Sequence, residues 1–342
     1  MRKAIALVLA YAVVVYAPAG SAAGADAEFV KDTKAYLSRL EKLGFAGAVL
    51  VAENGKPVIA EGYGLANREK AIGWTPSTVS TIGSITKQFT AAAILVLQEQ
   101  GKVNVQDGLD KYFSDVPDDK AAITLHHLLT HSSGIVDPPN IDDFDQNTRE
   151  QYVRIILEAP LEFEPGERYE YANANFSLLG AIIELETGKT YEVAMRELIF
   201  QPAGLKETGY TLPKWDEERI AIGYVGKERW GTILERPMAD DGPYWALRAN
   251  GGIYSTSEDM LRWAQALLAN RVLSPQSREA LWTPHVDESN GDGSSFYGYG
   301  WVVDRKHDPH VITHNGGNGI LFADFAIMPD ENIVAFVQTN VV

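Results

Sequence analysis

The sequence predicts an α+β fold in which one antiparallel sheet is flanked by helices and carries a mostly helical second lobe. Strand-like runs occur near both ends of the chain, over residues 47–63 and 296–339, and three long helical patterns lie between them. The simplest assembly joins the first and last strands in one sheet, with the helices as an insertion. The chain has 342 residues, 45% of them hydrophobic, so it can bury a large core without a metal or disulfides.

The N-terminus has the pattern of a secretory signal peptide. Arg2 and Lys3 precede an uncharged run over residues 4–17, and the small residues Ser21-Ala22-Ala23 follow. That order of charge, apolar run and small residues is typical of a cleaved export signal. The apolar run is shorter than the ~20 residues that a membrane span needs. We therefore expect residues 1–23 to be a signal peptide and the protein to be periplasmic or secreted, with a retained anchor as the alternative.

The first elements of the mature chain are a helix and a hairpin. Apolar residues recur at helical spacing over residues 28–43. Two strand-like runs follow, 47–52 and 57–63, and Asn54-Gly55 between them is a strong signal for a tight turn.

The rest of the chain alternates from helices to strands. Helices are predicted over 85–100, 175–187 and 258–269, the first two closed by Gly101 and Gly188 and the third capped by Ser257. Strands are predicted over 296–303, 311–314, 320–328 and 333–339, the last two joined by a turn. We expect one domain over residues 28–342, with an α/β lobe from 28–82 and 248–342 and a mainly helical lobe from 83–247.

The most informative motif is Ser84-Ile85-Thr86-Lys87, at the start of the first long helix. A serine hydroxyl is a poor nucleophile until a base takes its proton, and a lysine three residues later on a helix lies on the same face. Two further motifs follow in order: Tyr171-Ala172-Asn173 just before a helix, and His314-Asn315-Gly316-Gly317 at the end of a strand.

With these three motifs the chain resembles the serine beta-lactamase and penicillin-binding protein family. The likeness is to the branch that holds class C beta-lactamases, D-Ala-D-Ala carboxypeptidases and related esterases. It extends to the stretches 82–90, 128–134, 163–166 and 250–256. The resemblance implies a beta-lactamase/transpeptidase-like fold and a serine hydrolase that forms an acyl-enzyme.

The resemblance also implies a role for each motif residue. Ser84 would be the nucleophile, at a helix N-terminus that favours developing negative charge. Lys87 would accept the serine proton and help to keep Tyr171 partly ionised, and Tyr171 would relay the proton to the leaving group. Asn173 would hydrogen-bond either the substrate amide or the lysine.

The glycine-rich motif would complete the site. Backbone N–H groups of Ser84 and Gly317 would form the oxyanion hole, and His314 and Gly316 would contact substrate. His314 departs from the family's commonest pattern, in which a Lys-Thr-Gly motif occupies this place. A histidine with an unperturbed pKa of ~6.5 is mostly neutral at pH 7. We therefore expect binding of a carboxylate-bearing substrate to strengthen below about pH 6.5.

Composition and spacing argue against other classes. The formal net charge of -16 disfavours nucleic acid and anionic membranes as partners, so a small molecule or a peptidoglycan peptide fits better. His126, His127 and His131 could suggest a metal site, but the interval lacks the carboxylate of such zinc motifs. We predict no metal and no cofactor.

These observations predict an exported serine hydrolase that cleaves amide or ester bonds through an acyl-enzyme on Ser84. D-Ala-D-Ala peptides, beta-lactams and small esters remain open as substrates, because fold analogy does not separate them. The alternatives are a carboxylesterase of the same fold and a non-catalytic penicillin-binding sensor. The sequence leaves the oligomeric state open.

Overall fold

The computed structural model describes residues 27–289, 291–307 and 310–341. The predicted signal peptide, residues 1–23, lies outside the described residues. The helices are α1 Ala27–Lys42, α2 Thr86–Glu99, α3 Leu125–Leu129, α4 Arg149–Glu158, α5 Asn173–Thr187, α6 Tyr191–Met195, α7 Gln201–Ala203, α8 Ser257–Leu268 and α9 Pro275–Trp282. The strands are β1 Gly47–Glu53, β2 Lys56–Tyr63, β3 Leu65–Asn67, β4 Ile72–Gly73, β5 Ser80–Thr81, β6 Gly223–Val225, β7 Glu228–Gly231, β8 Tyr254–Ser255, β9 Val286–Asp287, β10 Ser295–Tyr297, β11 Val302–Asp304, β12 Val311–Gly317, β13 Phe322–Met328 and β14 Ile333–Thr339.

The main sheet joins the two ends of the chain, as the sequence predicts. Its strand order is β2-β1-β14-β13-β12-β11-β10-β9, and each neighbouring pair is antiparallel. Strand β1 pairs with β14, with Gly47 opposite Thr339. The β1–β2 turn has positive φ at Asn54 (+53°) and Gly55 (+73°), as a two-residue Asn-Gly hairpin requires.

Helices cover both faces of the sheet. On one face, Leu37 of α1 packs against Val49 and Val337. The opposite face joins the largest core cluster, in which Leu50 and Phe336 lie with residues of α2 and α8. Helix α2 is mostly apolar and is buried over most of its length, as expected for a helix enclosed by sheet and helices. A polar residue on α2 is therefore forced into the interior.

The element bounds differ from the predicted ones in a few places. The predicted strand 296–303 is two strands, β10 and β11, because the chain turns through Gly300, whose φ is +72°. A methyl group at Gly300 would lie 2.7 Å from the carbonyl oxygen of Lys87, so the turn packs tightly on α2. The cap of α8 is Thr256, not Ser257, and its side chain accepts the Asp259 N–H.

A short pairing outside the main sheet brings distant segments to one place. Strand β5 pairs with β8, with Ser80 opposite Ser255. The Ile82 N–H donates to the Ile253 carbonyl at 2.9 Å. These contacts hold the segment before β8 beside the start of α2.

Among the described helices, none is long and apolar enough to cross a membrane.

Candidate active site

Ser84 lies in a single 3-10 turn, Gly83–Ile85, which continues directly into α2. Its side chain is half-buried. The turn places the serine at the N-terminal end of a long helix, where unpaired N–H groups and the helix dipole favour negative charge. This is the position that the sequence predicts for it.

Glycines allow strand β12 to touch the backbone of this turn. A methyl group built on Gly83 would lie 2.4 Å from the Gly317 nitrogen, and one on Gly316 would lie 2.2 Å from the Ile82 oxygen and 2.4 Å from the Ser84 nitrogen. Any side chain at either position would push the strand away. Gly316 is buried in this contact and sets the distance between strand and nucleophile. Its contact with substrate stays a prediction. Gly317 is exposed.

Lys87 lies one helical turn after the serine and is fully buried. Its Nζ donates to Ser84 Oγ at 3.2 Å, to Asn173 Oδ1 at 2.8 Å and to the Asn250 carbonyl oxygen at 2.8 Å. Of the two partners predicted for Asn173, the structure therefore shows the lysine. A neutral amine has two N–H groups and one lone pair. When the two shorter contacts take the N–H groups, the lone pair points to Ser84 Oγ.

The pKa of Lys87 is lowered to about 7. Burial is the largest cause, since a charged amine loses its hydration in the protein interior. The carboxylates of Asp137 and Asp143 oppose the shift by stabilising the ammonium form. At neutral pH the amine is therefore close to half-protonated, which suits a group that must take a proton and return it.

Tyr171 lies over the amine, with its ring centroid 4.7 Å from Lys87 Nζ. Burial raises the pKa of Tyr171, and the Ser84 hydroxyl opposes this only in part. The prediction that Lys87 keeps this tyrosine partly ionised is therefore wrong: the desolvated ring holds its proton. Tyr171 is present as a phenol that can donate a hydrogen bond beside the serine.

A buried histidine fixes the segment that carries Tyr171. His131 Nδ1 accepts from the Ala172 N–H and from Asn175 Nδ2, both at 3.2 Å, while its carbonyl oxygen accepts from the Glu170 N–H at 2.9 Å. The rings of His131 and Tyr171 lie 4.3 Å apart. His131 thus holds the backbone on both sides of the tyrosine, and its φ of +55° belongs to this constrained geometry.

His314 is buried beneath the site. Its Nδ1 donates to the Asn315 carbonyl oxygen at 2.6 Å, so its Nε2 accepts from the Tyr297 hydroxyl at 2.9 Å. Burial, with a smaller effect of the Lys87 charge, lowers the pKa of His314 to about 4. The expectation that this histidine gains charge below pH 6.5 is wrong, because the ring is desolvated and both nitrogens are engaged. Its contact with substrate stays a prediction.

A cleft of about 260 Å³ opens onto the serine. Ser84, Asn173 and Gly317 line it. Apolar side chains form much of its remaining wall: Phe144, Trp230, Ile233, Leu247 and Ile320. Asp142 and Asp143 also line it.

Two residues near Lys87 had no role predicted from the sequence, although Asn250 lies in a stretch, 250–256, that resembles the family. The Asn250 carbonyl is a backbone atom, so its position depends on the β5–β8 pairing and not on residue type. Asp137 accepts the Ala174 N–H at 2.8 Å and so anchors the start of α5. In the sequence it is one of several acidic residues in a loop, and no motif distinguishes it from the others.

The histidines considered for a metal have other partners. His127 closes a capping box with Thr124 at the start of α3. His126 Nδ1 contacts the Tyr299 hydroxyl at 2.8 Å, and His131 holds the Ala172 amide. Within the described part of the chain, no three metal-ligating side chains converge.

The chain is similar in sequence to known penicillin-binding proteins and carboxypeptidases. The chain is 30% identical over 292 residues to penicillin-binding protein 4* of Bacillus subtilis (strain 168), covering 81% of this chain. It spans 64% of that relative's length. It is also 30% identical over 315 residues to the D-alanyl-D-alanine-carboxypeptidase/endopeptidase AmpH of Escherichia coli (strain K12), covering 86% of this chain and 79% of that protein.

A solved structure and a family model extend the likeness to the whole fold. The penicillin binding protein from Bacillus halodurans superposes with a TM-score of 0.76 at 29% identity, covering 89% of this chain and 94% of that one. The sequence model of the Beta-lactamase family matches residues 34–342. The chain therefore belongs to the beta-lactamase family of serine hydrolases.

Proposed function

We propose that this protein hydrolyses amide or ester bonds through an acyl-enzyme on Ser84. The observation that carries the proposal is the contact of 3.2 Å between Lys87 Nζ and Ser84 Oγ, made by an amine whose pKa is about 7. An amine that is partly neutral at physiological pH can take the serine proton as the oxygen attacks a carbonyl.

Acylation then follows from the arrangement of the cleft. Ser84 Oγ bonds to the carbonyl carbon while its proton passes to Lys87 Nζ. The tetrahedral oxyanion accepts hydrogen bonds from the backbone N–H groups of Ser84 and Gly317, each worth on the order of 3 kcal/mol. The bond to the leaving nitrogen or oxygen breaks, and the departing group takes a proton through the Tyr171 hydroxyl.

Deacylation uses the same residues in reverse roles. Once the leaving group has taken its proton, Lys87 is neutral again. Water attacks the ester carbonyl and passes a proton through the Tyr171 hydroxyl to Lys87, and Ser84 Oγ leaves with that proton. Asn173 and the Asn250 carbonyl hold the amine in place throughout, since both contact Nζ at 2.8 Å.

The proposal extends to the whole chain. Residues 28–342 would act as one catalytic domain, and residues 1–23 would direct export to the periplasm or the medium. Substrates would be small molecules or peptidoglycan peptides; the name of the carboxypeptidase relative supports the peptide, and the esterase option rests on the shared acyl-enzyme chemistry. N-terminal sequencing of protein recovered from the periplasm and medium tests the export step, since an intact Met1 terminus would contradict it.

Mass spectrometry with two acylating reagents tests the reaction. We expect labelled penicillin or p-nitrophenyl acetate to modify Ser84, with release of the acyl group on a timescale of turnover. Ser84→Ala should lower turnover by roughly 10⁴-fold or more, whereas Ser114→Ala, at an exposed serine outside the cleft, should not. A stable adduct without turnover would indicate a penicillin-binding sensor. No adduct and no turnover with either reagent would contradict the proposal.

A further inference from the structure

The charged side chains that line the active-site cleft are all negative. Asp142 and Asp143 line it, and both are exposed. Among the lining residues in the described part of the chain there is no lysine, arginine or histidine. A substrate in the cleft therefore meets negative charge and apolar surface.

The cations that lie near the cleft are already engaged. Lys87 is fully buried and has three acceptors around Nζ. His314 is buried, neutral and bonded at both nitrogens. Arg236 is half-buried, stacks on the Trp230 ring at 4.3 Å and donates to the Trp230 carbonyl oxygen.

The acidic loop is held in a fixed shape. The Asp142 carboxylate accepts the Phe144 N–H, and the Asp142 N–H donates to the Asp145 carboxylate, both at 3.0 Å. This local structure places Asp143 and the Phe144 ring in the same wall of the cleft. The Asp143 carboxylate is also one of the charges that raise the pKa of Lys87.

We propose that the cleft selects uncharged or cationic esters and amides with an apolar part, and discriminates against substrates that carry a carboxylate. This inference rests on the proposed function and adds the charge class of its substrate: of the substrates proposed above, it favours small esters and amides over peptides that end in a free carboxylate. A bound carboxylate would lose hydration, meet two like charges and find no exposed cation to pair with. At separations of several ångströms near a protein surface, such repulsion corresponds to a penalty of about ten- to a hundredfold at low salt.

The test compares three aryl esters of the same length: p-nitrophenyl pentanoate, the mono-p-nitrophenyl ester of glutaric acid, and p-nitrophenyl 4-(trimethylammonio)butanoate. The measurement is kcat/KM at low and high salt, corrected for spontaneous hydrolysis. We expect the anionic ester to be at least tenfold poorer than the neutral one at low salt, and the gap to narrow as salt screens the charges.

The variant Asp142→Asn/Asp143→Asn should raise the anionic-to-neutral ratio of kcat/KM at least fivefold. The ratio isolates substrate charge, because any change in the Lys87 amine affects all three esters alike. The matched control is Asp330→Asn/Glu331→Gln, which removes the same charge from the exposed turn between β13 and β14. Strand β13 begins at Phe322, so this turn lies at its opposite end. It should leave the ratio unchanged.

The outcomes separate the two proposals. Equal or faster turnover of the anionic ester by the wild type, or an unchanged ratio in the double aspartate variant, would overturn the charge selection alone. Loss of Ser84-dependent turnover with every ester would reject the proposed function, and the charge selection with it.

Discussion

The pH dependence of acylation tests whether Lys87 acts as the base. With a pKa of about 7, the neutral fraction of its amine is about 0.09 at pH 6 and about 0.9 at pH 8. Since only the neutral amine accepts the Ser84 proton, the acylation rate should rise about tenfold over this interval and then level off. A lysine with an ordinary pKa of ~10.4 would give about a hundredfold rise without a plateau.

The assay is single-turnover acylation by an uncharged aryl ester at constant ionic strength, with the released phenol followed at its isosbestic wavelength. Asp137→Asn should move the midpoint to lower pH, because it removes a charge that stabilises the ammonium form. The asparagine can still accept the Ala174 N–H, so α5 should stay anchored.

Asp324 is a second buried group whose pKa lies in this range, so its effect must be separated from that of Lys87. Burial raises the pKa of Asp324 to about 7, and this residue lies on β13 opposite Asn315. Asp324→Asn should leave the midpoint in place. Three results would each refute the assignment of the base to Lys87. They are a flat pH–rate profile from pH 6 to 8, a midpoint that is unchanged in Asp137→Asn, and a pH-dependent rise in rate that is lost in Asp324→Asn.

Three further predictions concern the support of the site. His131→Phe should lower the free energy of unfolding by about 1–3 kcal/mol and reduce kcat, because the buried Ala172 N–H loses its acceptor. An unchanged midpoint of urea unfolding would contradict this role of His131. Gly316→Ala should reduce the acylation rate by at least a hundredfold, because the new methyl group overlaps backbone atoms of the turn that carries Ser84. The control is Gly73→Ala, whose methyl group meets only an ordinary contact at 3.7 Å and should have little effect in the same single-turnover assay. The ring of His314, whose pKa is about 4, should show constant NMR chemical shifts from pH 5.5 to 8, and a titration midpoint near 6.5 would contradict its burial.

The elements of the fold could be predicted because their signals are local. The Asn54-Gly55 turn needs only two residues that tolerate positive φ, and the structure has both there. Helix ends at Gly101 and Gly188 were predicted to within a residue or two. The predicted strand 296–303 failed because a glycine turn that packs on α2 divides it, and that contact joins residues far apart in the chain.

The sequence by itself determined the pair Ser84 and Lys87, because a spacing of three residues on a helix places both side chains on one face wherever that helix lies. It also determined the order of the motifs that indicate the family. Only the tertiary structure decided the protonation of the site. Burial of α2 lowers the pKa of Lys87, burial of the sheet keeps His314 neutral, and the Asn250 carbonyl reaches the amine through a strand pairing far along the chain. Desolvation and backbone contacts depend on what surrounds a residue, and no local pattern of residue types encodes those surroundings.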